Sequence, residues 1–226
     1  MSSANPNIRF EDVLLSAARL QQLVPDAVLV GGSAAVFHAG HRVSFDHDHV
    51  LADLQDRFDA VLDAIETDDG WVLNRLVPGK IILGELGGIE TGVRQMIRAR
   101  PLEVQQATLA TGATLVVPTI DEALRVKSFL AVRRNQVRDY LDIAALSERI
   151  GAKRAAAVLS EIDDYYADQR SGERSVASQV LRQLADPRPR DAAVIEELSS
   201  YRSLDPRWTW DSVREQLAQV ADAMVE

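Results

Sequence analysis

Two short segments carry residue types whose spacing suits work on phosphates. Asp46 and Asp48 lie two apart within residues 43–51, a stretch patterned like a strand. On a strand such residues share one face, with Cα atoms about 6.6 Å apart at roughly 3.3 Å per residue, so both carboxylates can converge on one cation. Hard oxygen ligands of this kind suit Mg²⁺, with Mn²⁺ as a substitute, the coordination shell being completed by waters and substrate phosphate oxygens. Ser44 lies on the same face. An acidic pair on an edge strand can also simply resist aggregation.

Upstream, the apolar run Ala27-Val28-Leu29-Val30 ends in Gly31-Gly32-Ser33, and a helical pattern continues to Ala39. A strand that ends in glycines and opens a helix presents free backbone N–H groups at a positive helix terminus, and the missing Cβ atoms let an anion approach. A tight strand-to-helix turn needs the same residues, so this triad is weak by itself. Combined with a carboxylate pair one helix later, it reads as a nucleoside triphosphate site.

A third segment places Val126-Lys127-Ser128 on one helix and Arg138-Asp139-Tyr140-Leu141-Asp142 on the next. Lys127, one of three lysines beside 22 arginines, can offer a compact charge to a triphosphate. Arg138 and Asp142 are i, i+4 and can pair on a helix surface. All four histidines, His38, His41, His47 and His49, fall within residues 38–49, which raises a zinc alternative. Strand alternation turns His47 and His49 away from Asp46 and Asp48, which disfavours one shared ion. His41 and Arg42 are expected as polar contacts near the turn, and His47 and His49 as packing or surface residues.

Composition narrows the setting. The chain has 226 residues, 46% hydrophobic and 26% charged, as for an ordinary globular protein. It has no cysteine, which removes disulfides, thiolate metal sites and cysteine nucleophiles. No 18-residue apolar run occurs and residues 1–10 lack a signal-peptide pattern, so a cytoplasmic protein without a membrane segment is expected. A net charge of −9 argues against bulk coating of nucleic acid, yet residues 92–138 hold eight bases against three acids, a local +5.

The elements that must position these residues follow from periodicity. Residues 10–23 read as a helix, 27–30 as a strand, 33–39 as a helix, 43–51 as a strand and 53–67 as a helix. Strands are expected at 71–77, 80–86, 89–97 and 114–117. After Pro118, Thr119 to Glu122 fits a capping box, and helices are expected at 119–134, 136–150, 152–168, 174–185, 191–200 and 209–225. The fold class is α+β: a small mixed sheet with flanking helices over residues 1–118, then a helical subdomain over 119–226 that completes the site.

At Gly31-Gly32-Ser33, at His38 to Asp48, at Lys127 and at Arg138 to Asp142, the chain resembles the AbiEii-type nucleotidyltransferases. This family includes the MenT-type toxins of type IV toxin–antitoxin systems, within the DNA polymerase β-like superfamily. The likeness covers about residues 28–146. It implies a nucleotidyltransferase-type sheet, the glycine turn and Ser33 on the triphosphate, Asp46 and Asp48 on Mg²⁺, and Lys127 on the nucleotide phosphates. It also implies Asp139 or Asp142 lining the site, with Arg42, Ser44 and Arg138 beside the nucleotide. Two departures stand out. His47 replaces the usual apolar residue between the aspartates, and the third carboxylate of many superfamily members has only Glu85 and Glu90 as poor candidates.

The expected reaction is Mg²⁺-dependent transfer of a nucleoside monophosphate from an NTP to an acceptor hydroxyl, with a tRNA 3′ end as acceptor and a cognate antitoxin as partner. The alternatives are a catalytically silent nucleotide- or partner-binding module and a small-molecule nucleotidyltransferase of the antibiotic-modifying kind.

Overall fold

A computed structural model describes residues 8–169, 175–201 and 203–226. The chain divides into two compact units. One joins the chain up to Ala34 with Val43–Thr119, and the other joins Ala35–Arg42 with Ile120–Glu226.

The first unit is built on a sheet. It contains helix α1 (Phe10–Leu23), strand β1 (Val28–Val30), the opening turn of α2 (Gly31–Ala39), β2 (Asp46–Leu51), α3 (Phe58–Glu66), β3 (Trp71–Val77), β4 (Ile81–Leu86), β5 (Ile89–Gln95), β6 (Val104–Thr108) and β7 (Thr114–Pro118). Five strands lie in the order β1-β2-β5-β4-β3, and β6 with β7 forms a separate hairpin. The sheet is mixed, since β2 and β5 run parallel while the other neighbours are antiparallel. Its core gathers Leu20 of α1 and Phe58, Val61 and Ile65 of α3 against Leu51, Ile82, Leu86 and Val93 of the strands. The hairpin is tied to α1 by Gln21, whose amide accepts from the Val116 N–H at 2.7 Å and donates to the Val116 carbonyl at 2.8 Å.

Alternation along β2 fixes which face is which. His47, His49 and Leu51 are buried, while Asp46, Asp48 and Val50 are half-buried on the other face. His47 Nε2 lies 2.9 Å from Ser16 Oγ on α1 and 3.1 Å from Thr91 Oγ1 on β5. His49 has no hydrogen-bond partner on either ring nitrogen among the described residues. Burial drives the His47 imidazole down to about 4, against a small opposing pull from Asp46. It holds His49 well below the ordinary range, with His47 adding to the effect.

The second unit is helical: the remainder of α2, then α4 (Ile120–Arg134), α5 (Val137–Ile150), α6 (Ala152–Ser160), α7 (Ile162–Tyr165), α8 (Val176–Ala185) and α9 (Trp210–Val225). Its core centres on Tyr140, Leu141, Phe129, Leu217 and Trp208, with Phe129 stacked on Tyr166 at 4.0 Å. Among the described residues no helix is long and apolar enough to cross a membrane.

Several expected boundaries change. The helix expected at 53–67 begins only at Phe58, and the strand expected at 43–51 begins at Asp46. Residues 152–168 break at Glu161, and Asp163 instead accepts the Val176 N–H at 2.6 Å at the start of α8. The helix expected at 191–200 is two 3₁₀ turns, Ala192–Ile195 and Leu198–Ser200, with Leu198 their one buried side chain. Residues 170–174, at the expected start of the 174–185 helix, lie outside the described residues. Strand β6 was not expected, because Gln105 and Gln106 leave no apolar alternation to read.

The buried histidines give a pH prediction. Both have folded-state pKa values below the unfolded value, so below about pH 6.5 the unfolded chain binds more protons than the folded one. Stability is full at neutral pH and falls on acidification, by up to about 1.4 kcal/mol per pH unit for each histidine kept neutral. Urea midpoints should drop between pH 7 and pH 5, and His49→Leu should flatten that slope. A midpoint constant through this window contradicts the assignment.

Candidate functional site

In the first unit the half-buried face of the sheet holds the carboxylate pair. The parallel register sets Asp46 beside Glu90 and Asp48 beside Gly92, and neighbours in register share a face. β2 lies inside the sheet, between β1 and β5, so protection of an edge does not account for the two acids. Asp46 Oδ1 accepts from Ser44 Oγ at 3.1 Å, and Asp48 Oδ1 accepts from Arg94 Nε at 3.2 Å.

Two glycines make room around Asp48. Gly31 adopts φ +74°, a left-handed conformation that disfavours side chains, and a Cβ there would stand 3.6 Å from Asp48 Cβ and Oδ2. A Cβ on Gly92 would sit only 2.3 Å from Asp48 Oδ1, so the carboxylate leans over β5 through space that any other residue would fill. Ser33 is buried, and its hydroxyl donates to the Asp46 carbonyl. It therefore ties the glycine turn to β2 instead of presenting its hydroxyl outward. The helix starts at Gly31, two residues earlier than expected.

This donor set fits a hard dication. Among the described residues no three His, Asp or Glu side chains are gathered closely enough to hold a metal. A cation at Asp46 and Asp48 would thus rely on two protein carboxylates plus water and substrate oxygens, the usual Mg²⁺ arrangement. Glu90, set beside Asp46, is exposed, and Glu85 sits beside Glu90 on β4. The zinc alternative gains no support, since His47 and His49 are in the core and no three such ligands gather among the described residues.

In the second unit a buried charge network surrounds Asp142, which is 0% exposed. Arg42 reaches its two oxygens at 2.9 and 3.0 Å, His41 Nε2 lies 2.7 Å from Oδ1, and Lys127 Nζ lies 2.5 Å from Oδ2. Burial alone would raise this carboxyl, but Arg42, Lys127 and His41 outweigh it and hold it well below the ordinary range. Asp139, equally buried, takes a two-pronged contact from Arg134 at 2.6 and 2.7 Å and lies 3.6 Å from Lys127 Nζ.

These contacts revise several expectations. Asp142 is held by Arg42, Lys127 and His41, whereas Arg138 Nε donates to Gln136 Oε1 at 3.1 Å, so the i, i+4 pair does not form. Arg42 and Lys127, expected on the nucleotide, are 5% and 2% exposed and engaged with carboxylates. Asp139 and Asp142 are packed inside the helical unit. The +5 of residues 92–138 is mostly not a surface stripe. Arg98 donates to the carbonyls of Arg100 and Pro101, Arg125 pairs with Glu122 under the Tyr165 ring, and Arg94, Lys127 and Arg134 hold aspartates.

No family model matches the chain. The heme uptake protein MmpL11 of Mycobacterium tuberculosis is 31% identical over 246 aligned positions, which take in 98% of this chain and 23% of that protein. The chain thus spans less than a quarter of the length of such curated relatives. Among solved structures, MenT4, a nucleotidyltransferase toxin from Mycobacterium tuberculosis, superposes with a TM-score of 0.61 at 17% identity, over 96% of this chain and 84% of MenT4. The antibiotic-resistance factor ANT(2'')-Ia gives 0.51 at 13% identity, over 70% of this chain and 93% of its own. The chain has the nucleotidyltransferase fold, as the sequence resemblance implied.

Two substitutions separate the halves. Gly92→Ala should displace the Asp48 carboxylate and weaken Mn²⁺ binding by roughly tenfold or more, with a stability change under about 1 kcal/mol. Lys127→Met removes one of the three partners of buried Asp142 and the longer contact to Asp139, and should cost about 3 kcal/mol in urea unfolding. Arg138→Ala, which touches neither, should stay within about 0.5 kcal/mol of the parent. Equal losses for Lys127→Met and Arg138→Ala would contradict this network.

Proposed function

We propose that the chain is a Mg²⁺-dependent nucleotidyltransferase that moves a nucleoside monophosphate from an NTP to an acceptor hydroxyl, with an RNA 3′ end as acceptor, in the manner of a toxin of the MenT kind. The observation that carries this reading is the pair Asp46 and Asp48 on an interior strand, open on one face and flanked by the Gly31 turn. It stands in a fold shared with MenT4 and ANT(2'')-Ia.

The glycine turn would take the triphosphate on its backbone N–H groups, with Ser33 holding the turn to β2. Asp46 and Asp48 would carry Mg²⁺, which supplies charge neutralisation at the phosphates when bound. The acceptor oxygen bonds to the α-phosphorus as the bond from that phosphorus to the β-bridging oxygen breaks, and pyrophosphate leaves with the electron pair. The acceptor proton passes to an aspartate oxygen or to water. Lys127, Arg42, Asp139 and Asp142 are assigned a positioning role as the charged frame of the helical unit. The reading places the chain in the cytoplasm, with NTP, RNA and a cognate antitoxin as partners.

The match to MmpL11 favours a second reading, in which the same fold serves as a nucleotide- or partner-binding module of a longer protein. Incubation with Mg²⁺, total tRNA and each α-labelled NTP in turn decides between them. Label should pass to tRNA with one nucleotide and fall roughly a thousandfold in Asp46→Ala/Asp48→Ala, the worth of several kcal/mol of metal-borne stabilisation. Label on a small hydroxylated acceptor instead supports the antibiotic-modifying reading. Mg²⁺-dependent NTP binding with no pyrophosphate release supports the binding module.

A further inference from the structure

The contact between Asp48 and Arg94 has a geometry that the transfer reaction alone does not require. The two side chains are 34% and 41% exposed, so water reaches both. The contact runs through Nε alone at 3.2 Å, longer than the 2.7–2.9 Å typical of a strong charge-assisted bond and without the parallel second bond of a two-pronged pair. It is nevertheless prepared by the backbone. Gly92 lies beside Asp48 in register, and its missing side chain is the space into which Asp48 Oδ1 leans. Arg94 follows two residues later on the same strand face.

A guanidinium and a hard dication make the same demand on a carboxylate oxygen. With neither present, Asp46 and Asp48 repel each other on one face, and Glu90 adds a third acid beside them. An exposed ion pair of this kind is worth only about 0.2–1 kcal/mol, enough to relieve that repulsion and weak enough to surrender to Mg²⁺. The displaced group is a planar fork of N–H donors that matches phosphate oxygens.

We infer that Arg94 is an exchangeable counter-ion: it holds Asp48 in the nucleotide-free protein, yields it to the divalent cation, and then takes a phosphate oxygen of the incoming triphosphate. Metal and nucleotide loading are thereby coupled through one side chain. The inference rests on the proposed function, because it takes Asp46 and Asp48 as the cation ligands. It assigns Arg94 a role in phosphate binding that neither the glycine turn nor the basic segment as a whole provides.

The test uses Mn²⁺, followed by its paramagnetic resonance signal, and inorganic tripolyphosphate, which carries the phosphate chain common to all four NTPs. Without polyphosphate, Arg94→Gln should bind Mn²⁺ about two- to fivefold more tightly than the parent, the fold-change that corresponds to losing a competing exposed ion pair. With saturating Mg²⁺, the same variant should bind tripolyphosphate roughly tenfold more weakly, and Arg94→Lys should fall between. Thermal melting of each variant confirms that it is folded. Unchanged or weaker Mn²⁺ binding in Arg94→Gln, while the parent binds and Asp46→Ala/Asp48→Ala does not, overturns the counter-ion role and leaves the proposed function standing. Tighter Mn²⁺ with unchanged tripolyphosphate binding overturns the transfer to phosphate. Equal Mn²⁺ binding by the parent and the double aspartate variant overturns both the metal reading and this inference.

Discussion

The register between β2 and β5 is the constraint on which the rest of the first unit depends. Side chains alternate strictly along a strand, so a slip of one residue would turn Asp46 and Asp48 into the core and bring His47 and His49 to the open face. Three local features hold the register. His47 is gripped from α1 by Ser16 and from β5 by Thr91, Leu51 joins the apolar core, and Gly92 leaves the opening that only an aspartate at position 48 occupies. The same pairing that buries two neutral imidazoles therefore leaves two carboxylates half-buried on the opposite face. Stability and chemistry are opposite faces of one strand.

The helical unit handles charge in the opposite way. Arg42, Lys127 and Arg134 meet Asp139 and Asp142 in the interior, where removing charges from water is costly and only near-complete pairing repays it. The contacts satisfy that condition: Asp142 has three partners and Asp139 a two-pronged one. Such a network adds little net stability over apolar packing, but it accepts very few alternative arrangements of α4, α5 and the segment holding His41 and Arg42. Its value is positional. That explains why a lysine chosen for its charge from sequence stands among the largest fully buried side chains of the chain.

Features with a period of their own were legible in the sequence. Two-residue alternation placed Asp46 and Asp48 on one face and both histidines on the other, and helical spacing with its end signals located α1, α4, α5 and α9. Features that exist only in three dimensions were not. Arg42 and Asp142 are 100 residues apart, and nothing local distinguishes their pairing from the nearer Arg138. Gly92 looks like any strand glycine until Asp48 is set beside it. The basic run of residues 92–138 reads as a surface in sequence because burial and partnership are invisible there, whereas the fold consumes most of those charges internally.

The balance of charge on the open face argues for a cation more strongly than the Asp-x-Asp spacing does. Asp46, Asp48, Glu90 and Glu85 share that face across three adjacent strands, and Glu85 lies directly beside Glu90. Like charges set opposite each other in a sheet are destabilising, and Arg94 meets the carboxylate of Asp48. A surface selected only for folding would relieve such crowding by a single substitution, and aggregation resistance gives no reason to keep it on interior strands. Under the proposed function a dication would make the arrangement favourable, since two positive charges would offset Asp46 and Asp48 and free Arg94 to meet an anion. Folding rules broken locally are characteristic of functional sites, and acids crowded on adjacent interior strands are such a break; under the proposed function the group that would relieve them has the charge and hardness of Mg²⁺ bound to a polyphosphate.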